Sequence, residues 1–486
     1  MQKQHTVFWM LTFAYGAGFM LPVLVSEGTF LDGLIYAVLA RNMAAGLGSF
    51  WAPHYSATYN GPWFEHPPLG VNIESMFYRL LGEGVWVEHV HSLATALVCG
   101  WLIVVLWRSL VGEDRQLRRL GWLPVLFWML NPQVTWSYSN NMLENTMTIF
   151  SLASVILILR SCKLDKGWIL SLVLGSVAIL AAFLTKGVVG LFPLATIFAY
   201  QLITRRIGWK RTLGRSLLLV GSLAVLFGLL LLVPAAKLGL SRYYETQFVA
   251  SMNGSRGGSG NQILYLVKLL NTLLPALAAA LLLFLAGWKR GLLSKAPTML
   301  WRSSGIMLLL ALAGSVPLVV SPRQSMFYVL SSFPFYALAT ALPVAMIVSA
   351  LVEPLRDRTK LLRVWQISMT VLLIGVVGFS MTKIGTYNRS KDMVLDVKVI
   401  GSYVRSEVSL DPDEEYVVGL TKTLRRDWGL DVNLTRYHRL CVAREDYSRH
   451  FVIGLDSNAS ELGDDFTLVP LDTRDYRLFV QNPKTD

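Results

Sequence analysis

The chain has 486 residues, of which 53% are hydrophobic and only 15% charged, and its formal net charge is +13. Soluble proteins carry roughly 25% charged residues, so this composition excludes an ordinary soluble globular protein. The charge does not indicate nucleic-acid binding either, because the basic excess lies in short loops between apolar runs, whereas residues 382–486 have 15 Lys and Arg against 18 Asp and Glu.

Apolar runs of about 20 residues, each long enough to cross a bilayer, recur along most of the chain. The first run, Val7 to Val25, is preceded by a single lysine and followed by no small-residue cleavage site, so we interpret it as a retained span rather than a signal peptide. The fold class predicted is an α-helical polytopic membrane protein. Its eleven predicted spans are 7–25, 89–107, 120–136, 143–160, 168–184, 188–203, 216–235, 263–287, 303–320, 326–350 and 364–381.

Alternate connections between these spans are basic. They place 21 Lys and Arg on one side of the bilayer and 8 on the other. Because basic loops face the cytoplasm, the count predicts a cytoplasmic N-terminus and an extracytoplasmic tail, in the inner (plasma) membrane of a cell.

The predicted outer segments differ in kind. The first outer loop, 26–88, contains helical stretches near Leu31–Ala45 and Val71–Leu81, whose composition suits segments lying in the membrane interface. A later loop, Lys237 to Gln262, has a Gly/Ser-rich tip that can order over a ligand. We therefore predict two domains, a membrane domain at 1–381 and a small soluble α/β domain at 382–486. The tail strands are expected at the alternating runs Tyr416–Leu420, Phe451–Leu455, Phe466–Pro470 and Tyr476–Val480.

Ionisable residues gather on the predicted outer side, although that side was assigned from other residues. Charges within or at the edge of membrane segments are costly, so each needs a physical reason. The candidates are Asp32, Glu65-His66, Glu144, Lys186, Arg256 and Arg323.

The acidic candidates each allow two interpretations. Asp32 is suited either to act as general base on an acceptor hydroxyl or to cap the helix that follows. Glu65 and His66 precede two prolines that fit a helix start, where they would be held rigidly or would merely cap. Glu144, in the first turn of the fourth span, either positions an acceptor or pairs with a cation, or is a simple helix-start acid.

The basic candidates suit a lipid phosphate. Lys186 lies in a predicted three-residue turn between spans, Arg256 in the glycine-rich loop and Arg323 before the tenth span. Arginine makes bidentate contacts with phosphate oxygens, although snorkelling of a long side chain is the alternative. A carboxylate with several cations predicts transfer from an anionic lipid whose leaving group is a phosphate.

These motifs resemble the GT-C glycosyltransferases, in particular the family 39 protein O-mannosyltransferases and the lipid A aminoarabinose transferases, over about residues 8–350. The similar segments are Asp32 after the first span, Glu65-His66-Pro67-Pro68-Leu69-Gly70, Asn131-Pro132 with Leu143-Glu144, Phe183-Leu184-Thr185-Lys186-Gly187, and Ser321-Pro322-Arg323 with Phe327-Tyr328 and Phe333-Pro334. The chain departs from the family in having Gly33 after Asp32, Val71 after Gly70, and Glu144 where an aspartate is usual.

The resemblance implies an inverting glycosyltransferase with a polyprenyl-phosphate sugar donor and a protein, lipid or polysaccharide acceptor. Asp32 and Glu144 are then the catalytic candidates, with Glu65, His66, Lys186, Arg256, Arg323 and Tyr328 binding substrate. No cofactor and no nucleic-acid partner are expected, and a divalent cation is left open. A secondary transporter or lipid-linked-sugar flippase is the alternative, but it requires polar residues or broken helices at mid-membrane. A non-catalytic scaffold is a third alternative, which the clustered charges disfavour.

Overall fold

A computed structural model describes residues 3–249, 261–292, 297–321, 324–411 and 413–483. Internal contacts divide the chain into two units, and each is described separately below. The larger unit comprises Met1–Leu24, Phe64–Gly70 and Val90–Thr382, and the smaller unit comprises Val25–Trp63, Val71–His89 and Lys383–Asp486.

Most of the described chain is α-helical. The helices are α1 (Lys3–Leu24), α2 (Leu31–Ala44), α3 (Leu69–Leu81), α4 (Val87–Leu110), α5 (Arg115–Arg118), α6 (Trp122–Met129), α7 (Pro132–Tyr138), α8 (Leu143–Lys163), α9 (Trp168–Lys186), α10 (Thr196–Thr204), α11 (Trp209–Leu231), α12 (Pro234–Tyr243), α13 (Gln262–Lys289), α14 (Thr298–Ser315), α15 (Phe333–Val352), α16 (Thr359–Met381), α17 (Lys391–Val408), α18 (Trp428–His438) and α19 (Ala459–Leu462).

Nine helices within the described ranges are long and apolar enough to cross a membrane. They are α1, α4, α8, α9, α11, α13, α14, α15 and α16, with α14 and α15 extended by 3₁₀ turns at Val316–Val320, Met326–Ser332 and Glu353–Asp357. Each corresponds to a predicted span, which confirms the helical polytopic class.

The other two predicted spans, 120–136 and 188–203, are helical but interrupted. The first is divided between α6 and α7, because Pro132 occupies the first position of α7 and Asn131 caps that helix by accepting the Gln133 amide at 2.9 Å. The second begins as a 3₁₀ helix, Val188–Ala195, which contains Pro193, and becomes α-helical only in α10.

Consecutive helices α8 and α9 pack along one another in the larger unit. Their contact depends on Gly175, since a Cβ there would lie 2.8 Å from the Ile158 side chain. Around this hairpin, α10 packs on α8 and α11 on α9. Elsewhere in the unit α1 packs on α16 and α6, while α15 packs on α6, α13 and α14.

The smaller unit contains a five-stranded mixed sheet, which confirms the α/β character predicted for the tail, although only four of the five strands were predicted. The strands are β3 (Tyr416–Leu420), β4 (Leu440–Arg444), β5 (Phe451–Gly454), β6 (Phe466–Leu468) and β7 (Arg477–Gln481). Their order in the sheet is β4-β3-β5-β7-β6, with β3 parallel to β4 and β5, and β7 antiparallel to β5 and β6. A separate β-hairpin of two short strands, β1 (Gly48–Ser49) and β2 (Ala52–Pro53), lies in the first predicted outer loop.

One core joins the sheet to the helices of the same unit. It contains Val397 and Ile400 of α17, Leu430 and Leu434 of α18, and Ile453 of β5, all fully buried. Helix α18 also packs against α2. The prediction that the 31–45 stretch lies in the membrane interface is therefore wrong, because every residue from Gly33 to Met43 is buried within the protein.

Candidate active site

Three of the predicted motifs meet in the larger unit. A Cβ at Gly70 would lie 2.6 Å from Leu143 Cδ2 and 2.9 Å from Thr185 Cγ2, so only glycine permits this approach. The segment Glu65–Gly70 therefore packs against the first residue of α8 and the last turn of α9. Leu143 and Thr185 follow Gly70 by 73 and 115 positions in the sequence, yet all three meet at one end of the α8–α9 hairpin.

The charged residues of two of these motifs form a buried ion pair. Lys186 Nζ lies 3.3 Å from Glu144 Oε1, and the two side chains are only 3% and 0% exposed. Glu144 is in the first turn of α8 and Lys186 in the last turn of α9, so each charge is at the helix end whose dipole stabilises it. Removing one partner from such a pair leaves an uncompensated buried charge.

A tight turn fixes Lys186 at the end of α9. Gly187 has φ +84°, which terminates the helix, and its amide donates to the Phe183 carbonyl at 2.6 Å. The Tyr243 hydroxyl, at the end of α12, fills the space where a Gly187 Cβ would stand. The predicted short turn at Lys186 is thus confirmed, although Lys186 is buried in an ion pair and does not snorkel.

A polar cluster inside the protein precedes Glu144. His91 Nδ1 and Asn141 Oδ1 are 3.0 Å apart, and Asn141 has a left-handed backbone, with φ +52°. Ser137 donates to Asn145 Oδ1 at 2.8 Å, and Asn145 donates to Ser92 Oγ at 3.2 Å. These bonds hold the turn between α7 and α8, and therefore the start of α8, in one conformation.

His91 was missed by sequence reasoning, although a signal existed. It lies in α4, whose first turns carry the sequence Glu88-His89-Val90-His91-Ser92 before the apolar run begins. Polar residues inside a span need internal partners, so this segment required a complementary polar segment. The asparagines after α7 supply it.

Glu65 and His66 are half-buried and lie directly before α3. The sequence predicted that Pro67 and Pro68 lie in the first turn of a helix. The helix begins at Leu69, so the two prolines instead precede its first turn. The adjacent Phe64 carbonyl accepts a hydrogen bond from Thr246 Oγ1 at 3.4 Å. The motif is therefore also attached to the segment that leads into residues 250–260.

Asp32 belongs to the smaller unit, where it is half-buried in the first turn of α2. The cap position is occupied by Phe30, so the interpretation of Asp32 as a helix N-cap is wrong. The approach to α2 is held by close contacts: a Cβ at Gly28, with φ +91°, would lie 2.3 Å from the Arg389 carbonyl oxygen. Nearby, Glu27 pairs with Lys398 Nζ at 2.6 Å.

Tyr328 is half-buried in the 3₁₀ turn Met326–Ser332, which packs against α7 and α8. Its neighbour Phe327 stacks on Trp136 of α7, with ring centroids 6.0 Å apart. Two other predicted site residues, Arg256 and Arg323, lie outside the described residues. Within the described ranges no group of three or more His, Cys, Asp or Glu side chains gathers as metal ligands would.

Comparison with known proteins identifies the fold. Residues 65–235, a range that includes Glu65, Glu144 and Lys186, match the family model described as dolichyl-phosphate-mannose-protein mannosyltransferase. No curated protein sequence matches the chain.

Two proteins of known structure are similar over almost the whole chain. The structure of ArnT from Cupriavidus metallidurans bound to undecaprenyl phosphate has a TM-score of 0.63 and 17% identity, covering 99% of this chain and 97% of that one. The oligosaccharyltransferase of Archaeoglobus fulgidus, in a complex with Zn and sulfate, has a TM-score of 0.51 and 12% identity, covering 92% of this chain and 68% of that one. The chain is thus a multi-pass membrane protein whose fold is similar to that of the ArnT structure.

Proposed function

We propose that the chain is a glycosyltransferase that moves a sugar from a polyprenyl-phosphate carrier to a hydroxyl of a protein, lipid or glycan. The proposal depends chiefly on the meeting of the Glu65–Gly70 segment with the buried Glu144–Lys186 pair. It is supported by the GT-C fold and by the family match over this same region. The ArnT structure holds undecaprenyl phosphate, which is a lipid of the proposed carrier class.

In the proposed reaction the Asp32 carboxylate takes the proton of the acceptor hydroxyl. The acceptor oxygen forms a bond to the anomeric carbon, and the bond from that carbon to the phosphate oxygen breaks. The lipid phosphate leaves with the bonding electrons, and cations stabilise its charge. We assign that role to Lys186, Arg256 and Arg323, and propose no bound cofactor.

The remaining candidates position these groups. Glu144 holds Lys186 in a fixed place through the buried ion pair. Glu65 and His66, which precede Gly70 in the same segment, are proposed to contact the donor or acceptor sugar. Tyr328 is proposed to contact the carrier phosphate.

Replacement of the base gives the most direct test. Full-length Asp32→Asn protein, reconstituted in liposomes, would be supplied with a panel of undecaprenyl-phosphate sugars, and sugar transfer to acceptor fractions measured. Because general-base catalysis contributes about 10²- to 10⁴-fold, we expect transfer to fall at least about 100-fold with unchanged thermal unfolding. Full activity would refute Asp32 as base, and carrier movement across the bilayer without transfer would instead indicate a flippase.

We propose that the chain lies in the inner membrane with its N-terminus in the cytoplasm, and that the reaction takes place on the extracytoplasmic side. It can be mapped by cysteine labelling in a Cys162→Ser background, since Cys99 and Cys441 are buried. We expect Glu113→Cys to be protected from an impermeant thiol reagent in intact cells and Asp456→Cys to react; both side chains are well exposed. Labelling at position 113 from outside would contradict the orientation.

A further inference from the structure

The larger unit has a charged cavity, which the proposed reaction does not use. It lies between α1, the end of α4, α5 and the turn Arg119–Gly121, and has a volume of about 610 Å³. That volume is within the range of pockets that hold small ligands. By the predicted topology it opens on the cytoplasmic side, opposite the proposed site of transfer.

The cavity wall is strongly basic. Four arginines line it, Arg108, Arg115, Arg118 and Arg119, against one acidic residue, Glu113. Arg118 pairs with Glu113 at 2.8 Å. The other three guanidinium groups form no ion pair within the part of the chain that the structure describes, and so are available to an anion.

A buried histidine also lines the cavity. His5 of α1 is only 4% exposed, and neither ring nitrogen has a hydrogen-bond partner among the described residues. Burying an imidazole without a partner costs free energy, which a ligand accepting its N–H would recover. The positive-inside rule explains exposed arginines in such a loop, but it does not explain this histidine.

The floor of the cavity is apolar. Trp9 of α1 and Val104 of α4 line it together with Gly121. A Cβ at Gly121 would lie 3.0 Å from Val104 and 3.7 Å from Trp9, so the floor is closely packed. The basic rim thus adjoins the apolar surface of two helices long enough to cross the membrane.

We propose that this cavity binds the phosphate headgroup of an anionic membrane lipid. The arginines and His5 would donate to the phosphate ester oxygens, and the apolar floor would accept the glycerol and the first part of an acyl chain. Basic pockets between membrane helices are known to bind lipid headgroups. A free phosphate shares the charge chemistry but has no use for the apolar floor, so the lipid is the source that the cavity favours.

Native mass spectrometry of the full chain, released from nanodiscs containing phosphatidylglycerol and phosphatidylcholine, tests the proposal. We expect retention of phosphatidylglycerol in the wild type. Arg115→Gln/Arg119→Gln should weaken its apparent affinity about 25-fold, roughly fivefold for each arginine. The matched control Lys210→Gln/Arg211→Gln removes two exposed cations from the start of α11, outside the cavity, and should leave retention unchanged.

A second variant removes the histidine without disturbing the rim. His5→Leu keeps an apolar side chain in the buried position, so we expect unchanged or higher thermal stability together with reduced lipid retention. Equal retention in the wild type and both cavity variants would overturn the proposal. Inorganic phosphate at about 10 mM is far below the concentration of lipid in a bilayer. If it displaced all of the retained lipid, a lipid headgroup would be refuted as the source of the bound phosphate.

Discussion

The ion pair between Glu144 and Lys186 combines a structural and a proposed chemical role, and the two can be separated. Lys186→Met removes the cation that pairs with the buried Glu144 carboxylate, which should cost about 3–5 kcal/mol of stability. The double variant Glu144→Gln/Lys186→Met removes both charges and should recover most of that loss. Sugar transfer, however, should be lost in both variants, because the phosphate-binding cation is absent.

The measurements are thermal unfolding in detergent and transfer from the undecaprenyl-phosphate sugar panel. The exposed pair Arg242 and Glu245 offers a matched control, since its removal should change neither quantity appreciably. A double variant that regains both stability and transfer would show that the pair has only a structural role.

His438 predicts a pH dependence in the smaller unit. Burial, with the nearby charges of Arg405 and Lys398, lowers the pKa of its imidazole to about 4. The unfolded chain, with a histidine pKa near 6.5, therefore binds more protons between pH 4 and pH 6.5, and stability must fall as the pH drops through that range. We expect a loss of about 1.5 kcal/mol between pH 6.5 and pH 5.

Hydrogen–deuterium exchange of β3 to β7 in the full chain measures this loss, after correction for the intrinsic rates. The His438→Phe variant should lack it. Burial raises the pKa of Asp431 to about 6, which acts in the opposite sense, but that contribution is shared by both proteins and cancels in their difference. An equal pH response in the two proteins would contradict the assignment.

At the scale of elements, α2 illustrates what local sequence could and could not predict. Its helical pattern was evident, and α2 ends within one residue of the predicted boundary. Its burial was not evident, because the covering helix α18 is almost 400 residues distant in sequence. Arg41 of α2 donates to the Arg436 carbonyl at 2.8 Å, and Arg436 pairs with Glu88 at 2.9 Å.

These arginines are also why the predicted interface location failed. Arg41 is 2% exposed, and burial beside Arg436 and Arg439 lowers its pKa to about 9. The interface location was inferred from the amphipathic composition of the stretch, whereas the donors of the buried Arg41 are satisfied by backbone and amide oxygens of the protein. Strand β4 was missed for a similar reason: Leu440, Cys441 and Val442 are all buried, so the run lacks alternation.

The candidate site was predicted only in part. Each motif could be located because charge beside an apolar span is rare, whereas the close approach at Gly70 was not predicted. The pairing of Glu144 with Lys186 could not be predicted, because it depends on how α8 and α9 pack. The partners of His91 likewise required the left-handed turn at Asn141.

For the whole molecule, the grouping of residues into units leads to a further prediction. The tail, residues 383–486, shares its unit with most of the first predicted outer loop, including α2. A chain ended at Thr382 would leave the apolar face of α2 uncovered, since α18 packs on it. We expect that chain to insert in the membrane but to be cut by trypsin at Arg41, which is buried in the full-length protein.

Because α2 also carries Asp32, the truncated chain should lose sugar transfer together with protection. In the full-length protein, Arg436→Gln leaves Glu88 buried without its guanidinium partner. This substitution should therefore also raise the rate of tryptic cleavage at Arg41, as the truncation does. The control Arg449→Gln removes an exposed arginine of the tail, whose one ion pair among the described residues is with Asp446. Trypsin should cleave this variant at Arg41 at the same rate as the wild type. Full protection of Arg41 with undiminished transfer in the truncated chain would mean that α2 holds its conformation without the tail.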